Sequence, residues 1–216
     1  MDLKLEGFFV SGIGTDIGKT VCSAIIAQAL DWSYWKPIQS GSLDNSDSML
    51  VGRYAPGVEI LPNSVCLKEA QSPHAAAELE NVEIHLADLS LPQKSKIIVE
   101  GAGGLLVPLN QTEMIVDLIK HLKLPVILIS KSYLGSINHT LLSIEALRAR
   151  SLAIAGIVFN GDRNSSSEKI IEKIGKIDVI GHVPWMKLLG QSEIKNISNS
   201  LKVALQDKIN EYFGKR

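Results

Sequence analysis

The chain is poor in cysteine. It has only Cys22 and Cys66 in 216 residues, and the two make no metal-ligand spacing. A chain of this length does not need disulfides to fold, so a reducing cytoplasm is the simple expectation. An excess of charge of one sign is also missing, with 22 basic residues against 23 acidic ones. That balance removes the electrostatic case for a nucleic-acid or anionic-membrane partner. No run approaches the roughly 20 uninterrupted apolar residues of a membrane span. The opening Met1-Asp2-Leu3-Lys4-Leu5-Glu6 interrupts apolar character with charge, unlike a secretory leader. Internal repeats, low-complexity tracts and linkers are absent too. Hydrophobic residues are plentiful, at 45%. They are enough for one domain, residues 1–216, built around a single sizeable core.

Those hydrophobic residues fall into two rhythms. Short apolar runs without polar alternation predict strands covered on both faces. These are Phe8-Phe9-Val10, Ile97-Ile98-Val99, Val126 to Ile129, Ile154 to Phe159 and Val179-Ile180, with Trp32 to Trp35 as a weaker candidate. Between them, helical spacing predicts helices over Lys19 to Leu30, Met114 to Leu122, Ile137 to Ala149 and Glu168 to Ile174. A last amphipathic helix is expected from Gln191 to Phe213. Gln39 to Asn81 holds several prolines and little periodicity. Alternating β and α elements imply an α/β fold with a mostly parallel sheet and helices on both faces. Ligands of such sheets bind at the carboxyl ends of the strands.

The first strand runs into Gly12-Ile13-Gly14-Thr15-Asp16-Ile17-Gly18-Lys19-Thr20. A phosphate loop needs glycines so that backbone N–H groups can wrap phosphate oxygens. It also needs a lysine for the terminal phosphates and a hydroxyl for Mg²⁺. Lys19 and Thr20 stand at a helix start, where free N–H groups and the helix dipole favour anions. The usual pattern places four residues between its glycines, whereas Gly12 and Gly18 enclose five. A dinucleotide fingerprint would want glycine at 17, where Ile17 stands, so that reading fails on spacing.

Other polar segments also follow strands. Lys36-Pro37-Ile38-Gln39-Ser40-Gly41 follows the second, and a lysine beside a proline turn is often merely solvated. Asn45-Ser46-Asp47 reads equally well as a helix cap. Glu100-Gly101-Ala102-Gly103-Gly104 places a carboxylate at a strand end, where a nucleotide-bound Mg²⁺ is held in phosphate-loop enzymes. Gly135-Ser136-Ile137-Asn138-His139 opens a helix whose free N–H groups suit a carboxylate, and His139 alone reads as structural. Asn160-Gly161 and Pro184-Trp185-Met186 end the next two strands. There an amide can pair with a base edge and an aromatic ring can line its pocket.

Taken in order, these segments resemble the dethiobiotin synthetases, over about residues 8 to 186. The resemblance rests on the long-form loop Gly12 to Thr20, Lys36-Pro37 with Ser40-Gly41, and Asn45-Ser46-Asp47. Ser72-Pro73-His74, Glu100 to Gly104, Gly135 to His139, Asn160 and Pro184-Trp185 complete it. The family's phosphate loop is also of the long form. The resemblance implies a phosphate-loop NTPase fold and a homodimer that binds 7,8-diaminononanoate near the subunit interface. It also implies a reaction in which CO2 is captured as a carbamate, phosphorylated by ATP and closed to a cyclic urea.

Residue by residue, it implies chemistry at Lys36, Lys19 and Thr15, and substrate contacts from Ser40 and from Gly135, Ser136, Ile137 and Asn138. ATP would be held by Gly14, Thr15, Asp16, Ile17, Gly18, Lys19, Thr20 and Val21. Asp47, Glu100, Gly101, Ala102 and Gly103 would join them. Asn160, Gly161, Pro184, Trp185 and Met186 would complete the base side. Thr20, Asp47 and Glu100 are the hard oxygen donors implied for Mg²⁺. Asp16 stands where the family often has glutamate, and the resemblance thins around Asn160 and after Trp185.

Two other classes share the loop. A cobyrinate-type amide synthetase would add a glutamine-hydrolysing domain with a nucleophilic cysteine, for which the chain offers only Cys66. A partitioning-type ATPase switch usually carries a lysine early in the loop, where Gly12 and Ile13 stand.

Overall fold

A computed structural model describes residues 5–214. The reading of the extreme N-terminus therefore lies, for Met1 to Lys4, outside the described residues. The chain opens with β1 (Glu6–Gly12), α1 (Lys19–Leu30), β2 (Ser33–Trp35), β3 (Ile38–Ser40) and α2 (Asp47–Tyr54). It continues through β4 (Ile60–Leu61), β5 (Val65–Leu67), α3 (Pro73–Leu79), β6 (Lys96–Gly104) and α4 (Ile115–Leu122). β7 (Val126–Lys131), α5 (Ser136–Arg148), β8 (Ile154–Asn160), α6 (Ser165–Gly175), β9 (Val179–Val183) and α7 (Gln191–Phe213) complete it.

Seven strands form one parallel sheet in the order β4-β2-β6-β1-β7-β8-β9. β3 and β5 pair separately, also in parallel. Successive residues of a strand point to opposite faces, and β1 shows the consequence. Phe8 and Val10 join Ile25 and Ile26 of α1 and Leu201 and Leu205 of α7 on one face. Phe9 joins Ile115, Leu118 and Ile119 of α4 on the other. Further along that second face, Leu128 and Ile157 meet Ile144 of α5 and Ile171 of α6. Burial on both faces is why the strands read as unbroken apolar runs.

α1 is buried nearly all round, because the sheet lies on one side and α7 on the other. Ser198 of α7 donates its hydroxyl to the Ile25 carbonyl at 2.9 Å. The inner face of α7 is Ile194, Ser198, Leu201 and Leu205, at steps of three or four residues, about one turn each. Gly181 of β9 leaves no room for a Cβ against the Leu201 side chain, so α7 sits tightly on the sheet edge.

The expected strands and helices are present, with three differences. Trp32 lies in the turn that closes α1 rather than in a strand, because its N–H reaches back to the Ala27 carbonyl and Asp31 adopts a left-handed conformation. The strand expected to end at Glu100 continues beyond it. β6 runs on through Glu100, which pairs with Val10, to Gly104 beside Gly12. Glycine permits this, since a Cβ at Gly101 would press on the Phe9 ring at 2.8 Å. Thirdly, Gln39 to Asn81 contains α2, α3 and short strands. No described helix is long and apolar enough to cross a membrane.

Leu205 is fully buried between α7 and the α1 face. Leu205→Ala is expected to lower unfolding stability by about 2–5 kcal/mol, measured by urea denaturation. A loss below about 1 kcal/mol would mean that α7 does not close this core.

Candidate active site

β1 delivers the chain to its carboxyl end at Gly12, and α1 begins at Lys19. Gly18 caps α1 in a left-handed conformation (φ 85°), with no side-chain cap and no acid in the first turn. The N–H groups at that end stay available, and the dipole points at whatever anion fills the loop. The fifth residue between the glycines has a packing explanation. Ile17 is 3% exposed and its side chain lies over Gly12, where a Cβ would collide with it. The Lys19 ammonium folds back onto the Gly14 carbonyl at 2.8 Å. Burial lowers the Lys19 pKa, and the nearby Glu100 carboxylate offsets only part of this.

Beside the loop, three elements converge. Lys36 directly follows β2, Glu100 projects from β6, and Asp47 is the first residue of α2. Lys36 is 5% exposed and Glu100 1%. The Lys36 ammonium is bonded to Asp47 Oδ2 and lies 3.1 Å from Glu100 Oε1. Burial alone would lower the Lys36 pKa, but the Glu100 and Asp47 carboxylates outweigh it and hold the pKa above its ordinary value. Thr20 Oγ1 completes the knot, 2.6 Å from Asp47 Oδ1 and 3.0 Å from Glu100 Oε1. The other Glu100 oxygen, Oε2, accepts from the Tyr34 hydroxyl at 3.0 Å. Burial and the Glu100 charge push the Tyr34 pKa well up, so the phenol stays a donor.

The position of Asp47 is set locally. Ser46 caps α2 by accepting from the Met49 N–H. Gln39, 4% exposed, accepts from the Asp47 N–H at 3.2 Å and donates to the Gly41 carbonyl at 3.0 Å. The capping reading of Asn45-Ser46-Asp47 and the ligand reading thus coexist. Ser46 is the cap, and its neighbour is aimed into the site.

A cleft of about 880 Å³ opens here, lined among others by Thr15, Lys19, Lys36, Ser40, Asp47 and Glu100. Ser40 Oγ is buried and has no hydrogen-bond partner. A hydroxyl in that state lacks about 1–3 kcal/mol of compensation, which a bound polar ligand can supply. Ala102 and Gly103 form part of the wall, as do Ser72 and Pro73. A Cβ at Gly41 would clash with Ala70 at 2.6 Å, so that turn and the segment before α3 are closely fitted. A second cavity, of about 600 Å³, lies around Leu5, Pro125 and Ala153, just before β1, β7 and β8. It shares no residue with the cleft.

Asn160 and Val183 pair across β8 and β9, which brings Asn160-Gly161 beside the start of Pro184-Trp185-Met186. Asn160 Nδ2 donates to the Ile17 carbonyl at 2.7 Å, and a Cβ on Gly18 would collide with it. One side-chain N–H of Asn160 thus braces the phosphate loop. Trp185 is 64% exposed, and Met186 packs partly against the core. Gly135, Ser136, Ile137 and Asn138 do open α5, with Gly135 as its cap at φ 99°. They do not line the cleft of their own chain. His139 bonds to the exposed Tyr133 hydroxyl at 2.8 Å, in keeping with a structural role.

Sequence reasoning missed Tyr34 and Gln39. Both flank residues it had chosen, but only the sheet register brings Tyr34, opposite Ile98, to Glu100. Among the described residues no group of three or more His, Cys, Asp or Glu is placed to hold a metal. The candidate set is two carboxylates and one hydroxyl.

A family model described as an AAA domain matches residues 6–193. The chain is 44% identical to the ATP-dependent dethiobiotin synthetase of Christiangramia forsetii, covering 93% of this chain and 98% of that protein. It is 47% identical to that of Cytophaga hutchinsonii, over 83% and 88% of the two chains. Among solved structures it is similar to the septum site-determining protein MinD of Pyrococcus horikoshii, complexed with Mg-ADP, with TM-score 0.57 and 13% identity over 97% of this chain and 98% of that one. At that identity the likeness carries the phosphate-loop fold alone.

Burial raises the Asp47 pKa, but the charge and hydrogen bond of Lys36 and the hydrogen bond from Thr20 lower it more, leaving it below its ordinary value of 3.8. The unfolded chain therefore takes up this proton first as pH falls. The stabilisation is complete above that ordinary value and fades as pH drops through the lower folded one. In metal-free buffer at pH 7, wild type should exceed Asp47→Asn by about 1–2 kcal/mol. That gap should narrow only below pH 3.8. Urea unfolding between pH 7 and about pH 3 checks it, and a gap that closes already near pH 6 contradicts it.

Proposed function

The chain belongs to the ATP-dependent dethiobiotin synthetase family, and we propose that it makes dethiobiotin from 7,8-diaminononanoate and CO2 through a carbamate and its mixed phosphoric anhydride. It is an ATP-dependent ligase, and residues 1–216 are read as a single synthetase domain. One observation carries the proposed route. The phosphate loop, the buried Lys36 and Ser40, whose hydroxyl has no partner, all line one cleft.

The chemistry follows from charge. One substrate amine attacks CO2 and loses a proton to give a carbamate, which is an anion and a poor electrophile. A carbamate oxygen then attacks the γ-phosphorus of ATP, expelling ADP. The second amine attacks the carbamoyl carbon, the C–O bond to phosphate breaks, a proton is lost and the cyclic urea forms. Phosphoryl transfer between two anions needs screening, the role proposed for Lys19 and Lys36. Thr15, at the loop and lining the same cleft, lies next to the reacting groups in this reading. Ring closure is intramolecular, so positioning by Ser40 and the cleft walls supplies much of its rate.

Thr20, Asp47 and Glu100 would hold Mg²⁺. The Asp47 and Glu100 carboxylates already hold a cation, the Lys36 ammonium, Thr20 Oγ1 is bonded to both of them, and all three are the hard donors that Mg²⁺ prefers. When bound, the ion would supply charge neutralisation to the nucleotide phosphates. Gly14 to Val21 and Glu100 to Gly103 are assigned to ATP phosphates, and Asn160, Gly161 and Pro184 to Met186 to the base side.

Gly135 to Asn138 lie outside the cleft of their own chain. The proposed arrangement is therefore a homodimer in which this helix start receives the substrate carboxylate from the partner's site. Leu134, fully exposed beside it, and the exposed Tyr133 support a covered surface there. A cytoplasmic setting fits the two free cysteines. No nucleic-acid or membrane partner is proposed.

An amide synthetase of the cobyrinate type lacks its nucleophile here. Burial pushes the Cys22 thiol far up, and Cys66 lies outside the cleft. A partitioning switch has only the shared fold in its favour.

Purified protein with diaminononanoate, bicarbonate and Mg-ATP should form dethiobiotin with one ADP per ring. ATP hydrolysis indifferent to the diamine, without ring-closed product, sinks the synthetase reading. Lys36→Ala should lower kcat by about 10²–10³ while ATP affinity changes only a few-fold, and unchanged turnover would remove Lys36 from the chemistry. Ser40→Ala should raise KM for the diamine about tenfold, the loss of roughly one hydrogen bond, with KM for ATP unaffected. Equal effects on both constants would argue against a substrate contact.

A further inference from the structure

We propose that Tyr34 is a positioning residue, whose buried hydroxyl fixes which oxygen of Glu100 faces the cleft and thereby sets the site's affinity for a divalent cation. The inference rests on the metal-site role proposed above for Glu100 and goes beyond it. Tyr34 has no exposed surface and does not line the cleft, so it touches neither nucleotide nor substrate. Its reach is set by the sheet. β2 pairs with β6 so that Tyr34 lies opposite Ile98, two residues before Glu100.

The Glu100 side chain is wholly buried and its two oxygens are not equivalent. Oε1 carries the cleft-side partners, Lys36 Nζ at 3.1 Å and Thr20 Oγ1 at 3.0 Å. Oε2 has Tyr34 Oη at 3.0 Å on the protein side. A carboxylate accepting on both oxygens has one orientation that satisfies all its donors. With the phenol removed, Oε2 would be a buried charged oxygen without a donor, and the group would gain by turning toward Lys36 or Thr20. Rotation in that direction takes Oε1 out of the position shared with Asp47. Hydrogen-bond partners behind a metal-binding carboxylate typically change affinity or activity 10–100-fold when deleted.

Tyr34→Phe keeps the ring and removes only the hydroxyl. Mn²⁺ binding to the enzyme–ADP complex, titrated by the electron paramagnetic resonance signal of the free ion, should weaken about tenfold. KM for the diamine should stay within about twofold, and the circular dichroism spectrum should be unaltered. Wild-type Mn²⁺ affinity in the folded variant overturns the proposal. Glu100→Gln, run alongside, separates the two claims. If it weakens Mn²⁺ binding while Tyr34→Phe does not, only the role of Tyr34 fails. If it too binds as wild type does, the metal role of Glu100 fails and takes this inference with it.

A wild-type measurement stands whether or not the variant folds. With tyrosine labelled by ¹³C at Cζ, and resonances assigned through Phe replacements of the other three tyrosines, Mg²⁺ added to the enzyme–ADP complex should move the Tyr34 signal. A stationary Tyr34 resonance at saturating Mg²⁺ also overturns the proposal.

Discussion

The site depends on one interaction, the Lys36 ammonium held between the Asp47 and Glu100 carboxylates. Each of the three charges would be costly to bury alone, by several kcal/mol. Together with Thr20 and Tyr34 they satisfy one another, and they come from four elements: Tyr34 and Lys36 from β2 and its end, Asp47 from α2, Glu100 from β6 and Thr20 from α1. The same knot therefore joins the phosphate loop to the wall that carries Ser40. Removing one member leaves the others charged, buried and misdirected, so its parts act as a unit.

This arrangement also explains the proposed division of labour. Lys19 is parked on the Gly14 carbonyl and Lys36 on two carboxylates. Lys36 is thus paired with carboxylates that a divalent ion would compete for, while Lys19 is held by a neutral carbonyl that ATP phosphates would displace. A divalent ion held by Asp47 and Glu100 would free the Lys36 ammonium to face a carbamate anion in the cleft. The near-neutral net charge of the whole chain hides this local concentration, because the charges that matter are paired inside.

Much of this was legible in the sequence, for identifiable reasons. Phe8-Phe9-Val10 and Val126 to Ile129 are buried on both faces, so their runs are unbroken and unambiguous. The helix from Lys19 to Leu30 and that from Gln191 to Phe213 are long enough for a period to show. The glycine-rich loop declares itself by residue type, including the fifth interval residue that turned out to be Ile17 packed over Gly12. The stretch from Gln39 to Asn81 was opaque because its strands are two or three residues long and its helices eight and seven. Elements that short have no measurable periodicity. Glu100 was found, but the strand continuing through its glycines was not, since glycine is weak in strands unless a neighbour crowds it, as Phe9 does. Tyr34 carried no signal at all. A tyrosine in a buried strand looks like core, and only the pairing of β2 with β6 shows where its hydroxyl goes. Gly135 to Asn138 were read as a helix start and, from resemblance, as substrate contacts, and among the described residues they do not line the cleft.

The central claim is that ATP phosphorylates a carbamate oxygen in this cleft. Isotope transfer tests it directly. With ¹⁸O-labelled CO2, diaminononanoate and unlabelled Mg-ATP in a single rapid turnover, the phosphate released should carry one ¹⁸O, and the ureido carbonyl should keep the other. Unlabelled phosphate formed together with labelled dethiobiotin would mean that ATP is cleaved by water, and the cleft would then have to close the ring by a different route.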